Sequence, residues 1–498
     1  MALIKKLAGE TLIYGSSYII SRVLHYLFIS AYLTRVFSGN PFHFGLYTEL
    51  YFYAALLIVI LTLRMETTYF RFGSEPEEKE HSFSTAFQML GFTGAVMFIT
   101  GIFWSAEIAE VLSYPDFGHY ISVLGGILAF DTWCAIPLAR LRQENRVVRF
   151  AIIKVAGVIL NTVLVVMFLT IFPILEDREL TWFANWYHRN DPIYDVLIAN
   201  LVASIFIFFL LTPSILKIRF RISFVLWLKM LKYALPLIIV GIAGVINQSS
   251  FITLQKYLLP SSIVQNIGEG GIYAAAVKLA ILMNLFTIAF NYAAEPFFFN
   301  QSKQIKAKQI YANVAKAFTL VASLLFLILV FYLDLIQVII GSTYREDVRQ
   351  VVPVLALAFL MLGLYYNFSI WYKVSDKTLY GAYISLGGVA ITLVINFSLI
   401  GHYGEIASAW AALSCYLFMA VLCWLIGKIN YPVPYEIGKI VLCLSTAVLL
   451  YGISEWIRPY FVSVVWIILV NSGLLFLYLT LIWRVEKKFL LEILRNEI

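Results

Sequence analysis

Several charged and polar residues fall where an apolar sequence should have none. The stretch 9–36 is long and apolar enough to cross a bilayer. Near its middle, however, sit Arg22 and His25, with Gly15 and Tyr18 on the same helical face at steps of three and four. Even the gentlest insertion scale puts the cost of a central arginine at roughly 2.5–3.5 kcal/mol. Such a guanidinium must face a carboxylate, a buried network or a water-filled cavity. Other apolar segments carry Glu49, Arg64, Glu66, Asp131, Lys154, Lys278, Glu295 and Lys316. Uncharged polar groups add a contiguous run, Asn247-Gln248-Ser249-Ser250, and the pair Asn284 and Asn291, seven apart on one helical face. A single Asn or Ser commonly bridges helices in a bundle; a run of four exceeds what packing needs. Deep cations select phosphate or pyrophosphate, arginine through its planar fork. A sugar chain cannot cross hydrocarbon unaided, because each uncompensated hydroxyl costs roughly 2–7 kcal/mol. The substrate that fits is an anion bearing many hydroxyls.

These positions do not weigh equally. Glu49 and Lys316 lie close enough to the ends of their segments to snorkel. Lys154 lies a turn or two inside and can reach either interface or interior. Arg22 is too central to snorkel easily. It leads the candidate substrate-binding set, with His25, Arg64, Lys278, Asn247, Gln248, Asn284 and Asn291. Asp131, Glu66 and Glu295 are candidate acids for coupling to a sodium or proton gradient. For Glu66 and Glu295, pairing with loop arginines is an equally good reading.

What positions these residues is a membrane-spanning bundle. Of 498 residues, 61% are hydrophobic and 13% charged, with a mean hydropathy of +0.85; soluble domains carry about 25% charged residues. Hydropathy predicts an all-α chain of about fourteen spans: 8–33, 44–72, 82–104, 117–139, 147–174, 193–215, 233–258, 271–300, 311–333, 351–372, 379–400, 405–427, 436–456 and 461–483. No water reaches the bilayer core to satisfy open backbone, so the spans must be helical. The net charge of +7 does not indicate nucleic acid, because the basic residues fall in alternate short loops. Arg140, Arg142, Arg146 and Arg149 occupy one, and Lys303, Lys306 and Lys308 another, whereas Glu107, Glu110 and Asp116 lie on the opposite side. That alternation places both termini in the cytoplasm. Cys134, Cys415, Cys423 and Cys443 lie in apolar segments without ligand spacing and read as small core residues. The segment 217–232 is basic and aromatic, and reads as a helix on the inner membrane surface joining two halves.

Those halves read as copies. Phe44-Gly45-Leu46-Tyr47 recurs as Gly271-Ile272-Tyr273, and Glu66-Thr67-Thr68-Tyr69-Phe70 as Glu295-Pro296-Phe297-Phe298-Phe299. A six-span unit repeated in one orientation implies a pseudo-two-fold axis along the membrane normal. The expected organisation is an N-lobe over 1–216, the linker 217–232, a C-lobe over 233–427, and two further helices with a tail over 428–498. No P-loop, HExxH or nucleophile elbow is present, which argues for a carrier rather than an enzyme.

Four stretches carry a family resemblance: Ser21-Arg22-Val23-Leu24, Phe44-Gly45-Leu46-Tyr47, Glu66-Thr67 with Phe70-Arg71-Phe72, and Pro137-Leu138-Ala139-Arg140-Leu141-Arg142 leading to Arg149-Phe150. Together with the six-plus-six-plus-two arrangement, the chain resembles polysaccharide transporters of the multidrug/oligosaccharidyl-lipid/polysaccharide (MOP) superfamily, O-antigen and capsule flippases most of all. The first stretch is also similar to that of lipid II flippases. The resemblance implies a flippase for undecaprenyl-pyrophosphate-linked oligosaccharide in the bacterial inner membrane, working by alternating access, with cavity cations holding the diphosphate. Arg22 matches such a cation. It implies no cofactor beyond a coupling ion, lipid-linked oligosaccharide and membrane lipids as partners, and glycan polymerase machinery as a further partner. It also implies a groove for the lipid tail at the last two helices, 436–483. The chain departs from the drug-exporter branch, which usually has twelve spans.

Overall fold

The structure, a computed structural model, describes residues 31–494 apart from 74–78, 145, 177–190, 217–222, 302–303, 346, 376 and 462. The chain is a multi-pass helical membrane protein. Among the described residues, 13 helices are long and apolar enough to span a bilayer. Of the predicted first span only its last turn is described, in the helix Ala31–Val36; Arg22 and His25 lie outside the described residues.

The chain divides into two compact units, Leu46–Ser250 with the N-terminal segment, and Phe251–Ile498 with Phe37–Gly45. The first unit contains α1 (Pro41–Leu61) from Leu46 onward, then α2 (Met65–Phe72), α3 (Lys79–Phe103), α4 (Gly118–Gln143), α5 (Val147–Val166), α6 (Pro192–Ile215) and α7 (Phe224–Ser249). Local sequence sets several of these starts. Asp191 caps α6 by accepting from the Tyr194 N–H, with Pro192 in the first turn. Ser223 caps α7 by accepting from the Leu226 N–H. The predicted surface helix over 217–232 is not a separate element in its described part. From Phe224 the chain runs without a break into the seventh span, because only Pro236 interrupts the sequence and the helix accommodates it.

The second unit contains α8 (Phe251–Leu258), α9 (Ile263–Gln301), α10 (Ala307–Phe331), α11 (Val348–Phe368), α12 (Leu379–Tyr403), α13 (Ile406–Asn430), α14 (Ile437–Ile457) and α15 (Val464–Leu494). Within this unit the two glycines that head the repeated motif meet. A Cβ on Gly271 would fall 2.8 Å from the Gly45 nitrogen and 3.2 Å from its Cα. Only glycine allows the backbones to come this close.

The repeat is visible in burial. In the fourth span 78% of the most apolar 18-residue window is buried and in the tenth 83%, each the highest among the described spans of its unit. In the first unit α4 packs against α3 and α6; in the second α11 packs against α10 and α13, their counterparts six spans on. All four cysteines are buried.

Two expected snorkelling residues do not snorkel. Glu49 is completely buried and accepts hydrogen bonds from Tyr53 (3.0 Å) and Tyr114. Lys316 is also buried, with Nζ 2.6 Å from Glu436 and 3.3 Å from Glu486. In both cases a partner inside the protein takes the place of interfacial water. Lys316 thereby ties the last two helices to α10.

Candidate functional site

The second span is broken. Leu63 and Arg64 both take left-handed backbone angles, with φ of 47° and 51°, between α1 and α2. Each such non-glycine residue costs roughly 1–2 kcal/mol, so surrounding contacts must hold the break. Thr93 of α3 donates a 2.7 Å hydrogen bond to the Leu61 carbonyl. The Met65 N–H bonds the Thr62 carbonyl at 2.8 Å. Backbone groups inside a span must find partners in the protein, and the break is built to supply them.

Arg64 leaves the chain at this break. Among the described residues no carboxylate forms an ion pair with it; Glu66, two residues on, acts on it only through space. The residue is exposed overall, while its guanidinium is closely surrounded by protein. It rests on the bare Cα of Gly241 in α7. Gln248 lies seven residues beyond Gly241, on the same face of α7 about 10 Å along, and is exposed. Asn247, on the neighbouring face, is buried.

Asp131 forms a second polar cluster in the same unit. It is exposed, although every other residue from 120 to 139 is buried or half-buried. Ser204 of α6 donates a 2.8 Å hydrogen bond to its carboxylate. Lys154 of α5 interacts with it electrostatically. Nearby, Asn200, one turn before Ser204, donates to the Tyr51 hydroxyl. Asp131 thus faces polar side chains of α5 and α6 from a helix that is otherwise closed. Glu66 sits elsewhere, in the first turn of α2, with Arg142 at 3.9 Å and both side chains substantially exposed.

In the second unit, Lys278, Asn284 and Asn291 lie along α9. Lys278 is half-buried. Asn284 is buried, and its carbonyl oxygen has no hydrogen-bond partner among the described residues. Glu295 is on the same helix, with its side chain outside the described residues. An apolar groove of about 540 Å³ runs between α10 and α15, lined by Leu320, Leu324, Phe476 and Trp483, with Arg484 at its end.

Sequence reasoning missed Gly241, Tyr51, Asn200 and Ser204. Asn200 and Ser204 are four apart and share a helical face, a signal that could have been read. Gly241 is one glycine of 28, and nothing in its neighbours marks it.

A bundle of spanning helices with charged groups set among them defines a multi-pass membrane protein. The fold is that of lipid II flippase MurJ in an inward closed conformation, with a TM-score of 0.70 at 14% identity, covering 95% of this chain and 99% of that one. An inward-facing multidrug resistance MATE family transporter of the MOP superfamily matches with a TM-score of 0.56 at 12% identity, over 84% of this chain and 94% of that one. The Vibrio cholerae MATE transporter VcmN in its bent form gives 0.57 at 11% identity, over 86% and 98%. Residues 41–174 match a family described as polysaccharide biosynthesis protein. No curated protein sequence matches the chain. The resemblance to polysaccharide transporters of the MOP superfamily therefore stands on the fold and on this family match.

Proposed function

We propose that the chain is a flippase that moves a polyprenyl-diphosphate-linked oligosaccharide from the cytoplasmic to the outer leaflet of the bacterial inner membrane by alternating access. One observation carries the reading: Arg64 places a guanidinium, without an acidic partner among the described residues, at the break in a spanning helix. A cation so exposed to its surroundings costs several kcal/mol unless an anion or water meets it. A diphosphate offers the oxygens that a planar guanidinium fork binds best. Arg22, His25 and Lys278 complete the proposed cationic set, with Gln248, Asn247, Asn284 and Asn291 offering amides to sugar hydroxyls. The polyprenyl tail stays in lipid or in the apolar groove beside α15. Asp131 is the leading coupling acid, ahead of Glu66 and Glu295. The membrane potential assists, because each negative charge moved outward through the whole field gains roughly 2.3 kcal/mol per 100 mV.

The test is transport in proteoliposomes, scoring the leaflet accessibility of defined lipid-linked oligosaccharides. Movement of a diphosphate-linked glycan without change in its length supports the flippase; a change in length would point to a polymerase or transferase. Lipid II is the second reading, favoured by the fold match that spans nearly the whole of both chains. Selective movement of lipid II over oligosaccharide carriers would decide for it, and movement of amphipathic drugs alone would decide for an exporter.

A further inference from the structure

Helix α7 carries two glycines three residues apart that face different surroundings. A Cβ at Gly244 would meet nothing within 4 Å. A Cβ at Gly241 would fall 2.5 Å from Nη2 of Arg64, 2.6 Å from its Nε and 2.8 Å from Cγ1 of Val59. The guanidinium therefore occupies the space where a side chain at 241 would stand.

We propose that Gly241 is a positioning residue for the Arg64 cation: its missing side chain is the seat that holds the guanidinium beside the break in the second span, ready for a diphosphate. The inference rests on Arg64 binding the diphosphate, as proposed above. The left-handed pair at Leu63 and Arg64 fixes the direction in which the side chain leaves the backbone. Thr93 stabilises that break by capping Leu61. Gly241 then fixes where the far end rests.

The arrangement solves a problem that ion pairing cannot. A carboxylate would hold the guanidinium firmly, but it would also neutralise the charge that must attract the phosphate. A steric seat restrains the side chain, lowers the entropy lost when ligand binds, and does not neutralise the charge. The same face of α7 carries Gln248 two turns on, so one helix orders both the cation and an exposed amide.

The experiment measures binding of undecaprenyl diphosphate, without sugar, to the purified full-length protein. The variants are Gly241→Ala, Gly244→Ala, Arg64→Ala, Arg64→Lys and the doubles of Gly241→Ala with each Arg64 variant. The methyl at 241 meets side-chain atoms of Arg64 and Val59 rather than backbone, so Gly241→Ala should stay monodisperse with a near-native thermal midpoint. Its affinity should fall about tenfold, while Gly244→Ala stays within about twofold of wild type. Arg64→Ala should fall at least as far, and adding Gly241→Ala to it should change nothing more. With Arg64→Lys the narrower ammonium leaves room for the methyl, so Gly241→Ala should then cost less than about threefold.

Three results would overturn the positioning role while leaving Arg64 as a ligand: Gly241→Ala behaving like Gly244→Ala, a loss from Gly241→Ala that persists in full without Arg64, or a Gly241→Ala protein that fails to fold. If Arg64→Ala itself binds normally, the ligand role fails, and the inference falls with it.

Discussion

Arg64 and Lys316 are both cations set in apolar helices, and the protein treats them in opposite ways. Lys316 is buried against Glu436 and Glu486, and Lys439 joins the same carboxylates. Arg64 is accessible, with no acidic partner among the described residues, and it leaves the chain at a strained break. Lys316 is a fastener: its charge is consumed in joining α10 to the last two helices. Arg64 keeps its charge available. A charge within a span thus says little until its partners are known, because pairing separates structure from function. The two copies of the repeat make the same point. The second span is broken at Leu63–Arg64, whereas the eighth, its counterpart, runs unbroken from Ile263 to Gln301.

The contrast is broken most directly by exchanging the two outcomes. On the proposed binding role, Arg64→Ala would remove about two charge-assisted hydrogen bonds to phosphate, each worth roughly 1.5–3 kcal/mol. Affinity for the diphosphate should fall by about 100-fold or more, with the thermal midpoint almost unchanged. Lys316→Met should do the reverse. Removing one member of a buried ion network costs roughly 3 kcal/mol, read as a lower midpoint in detergent, while binding by the surviving folded protein stays near wild type. If Lys316→Met abolished binding in folded protein, or Arg64→Ala unfolded it, the division of roles would be wrong.

A second fastener extends the comparison to pH. Asp334, in the short helix Leu333–Ile336 after α10, accepts from Arg349 and from Arg458 at 2.6 Å. Burial alone would push its carboxyl up, but the two guanidinium groups outweigh it and hold the carboxyl below the ordinary aspartate range. A lowered folded-state value means that the stabilisation is present above the unfolded value, about pH 3.9, and is lost as pH falls through the folded value. The thermal midpoint should therefore drop more steeply below about pH 4 in wild type than in Asp334→Asn. At neutral pH that variant should cost about 2 kcal/mol. A pH profile identical in the two proteins would remove Asp334 from the acid response.

Much of this was legible in the sequence, and for definable reasons. Long apolar segments give spans because only helices satisfy their backbone in lipid; the close approach of Gly45 and Gly271, by contrast, was not foreseen from their recurrence in the sequence. Arg64, Asp131 and Gln248 were found because ionisable and amide groups are rare in such segments. What could not be read was pairing. Glu49 finds Tyr114 and Lys316 finds Glu486 across 65 and 170 residues of sequence, and no periodicity encodes that. The break at Leu63–Arg64 contains neither glycine nor proline, so no local signal announces it. Gly241 gains its meaning only from the side chain that rests on it.

Glu66 sharpens the comparison at its weakest point. Its sequence position allowed either ion coupling or a pairing with loop arginines, and in the structure Arg142 stands 3.9 Å away, with side-chain exposures of 45% for Glu66 and 42% for Arg142. An exposed pair at that distance contributes about 0–1 kcal/mol and is screened by salt. Glu66→Gln should then shift the thermal midpoint by no more than a degree or two, and the shift should vanish in high salt. It should leave transport intact in a gradient-driven proteoliposome assay, where Asp131→Asn stops net turnover. Loss of gradient dependence in Glu66→Gln, with Asp131→Asn unaffected, would move the coupling role from α4 to the start of α2. It would also make Glu66 a second ionisable group in this unit, beside Arg64, whose charge is kept for work rather than for fastening.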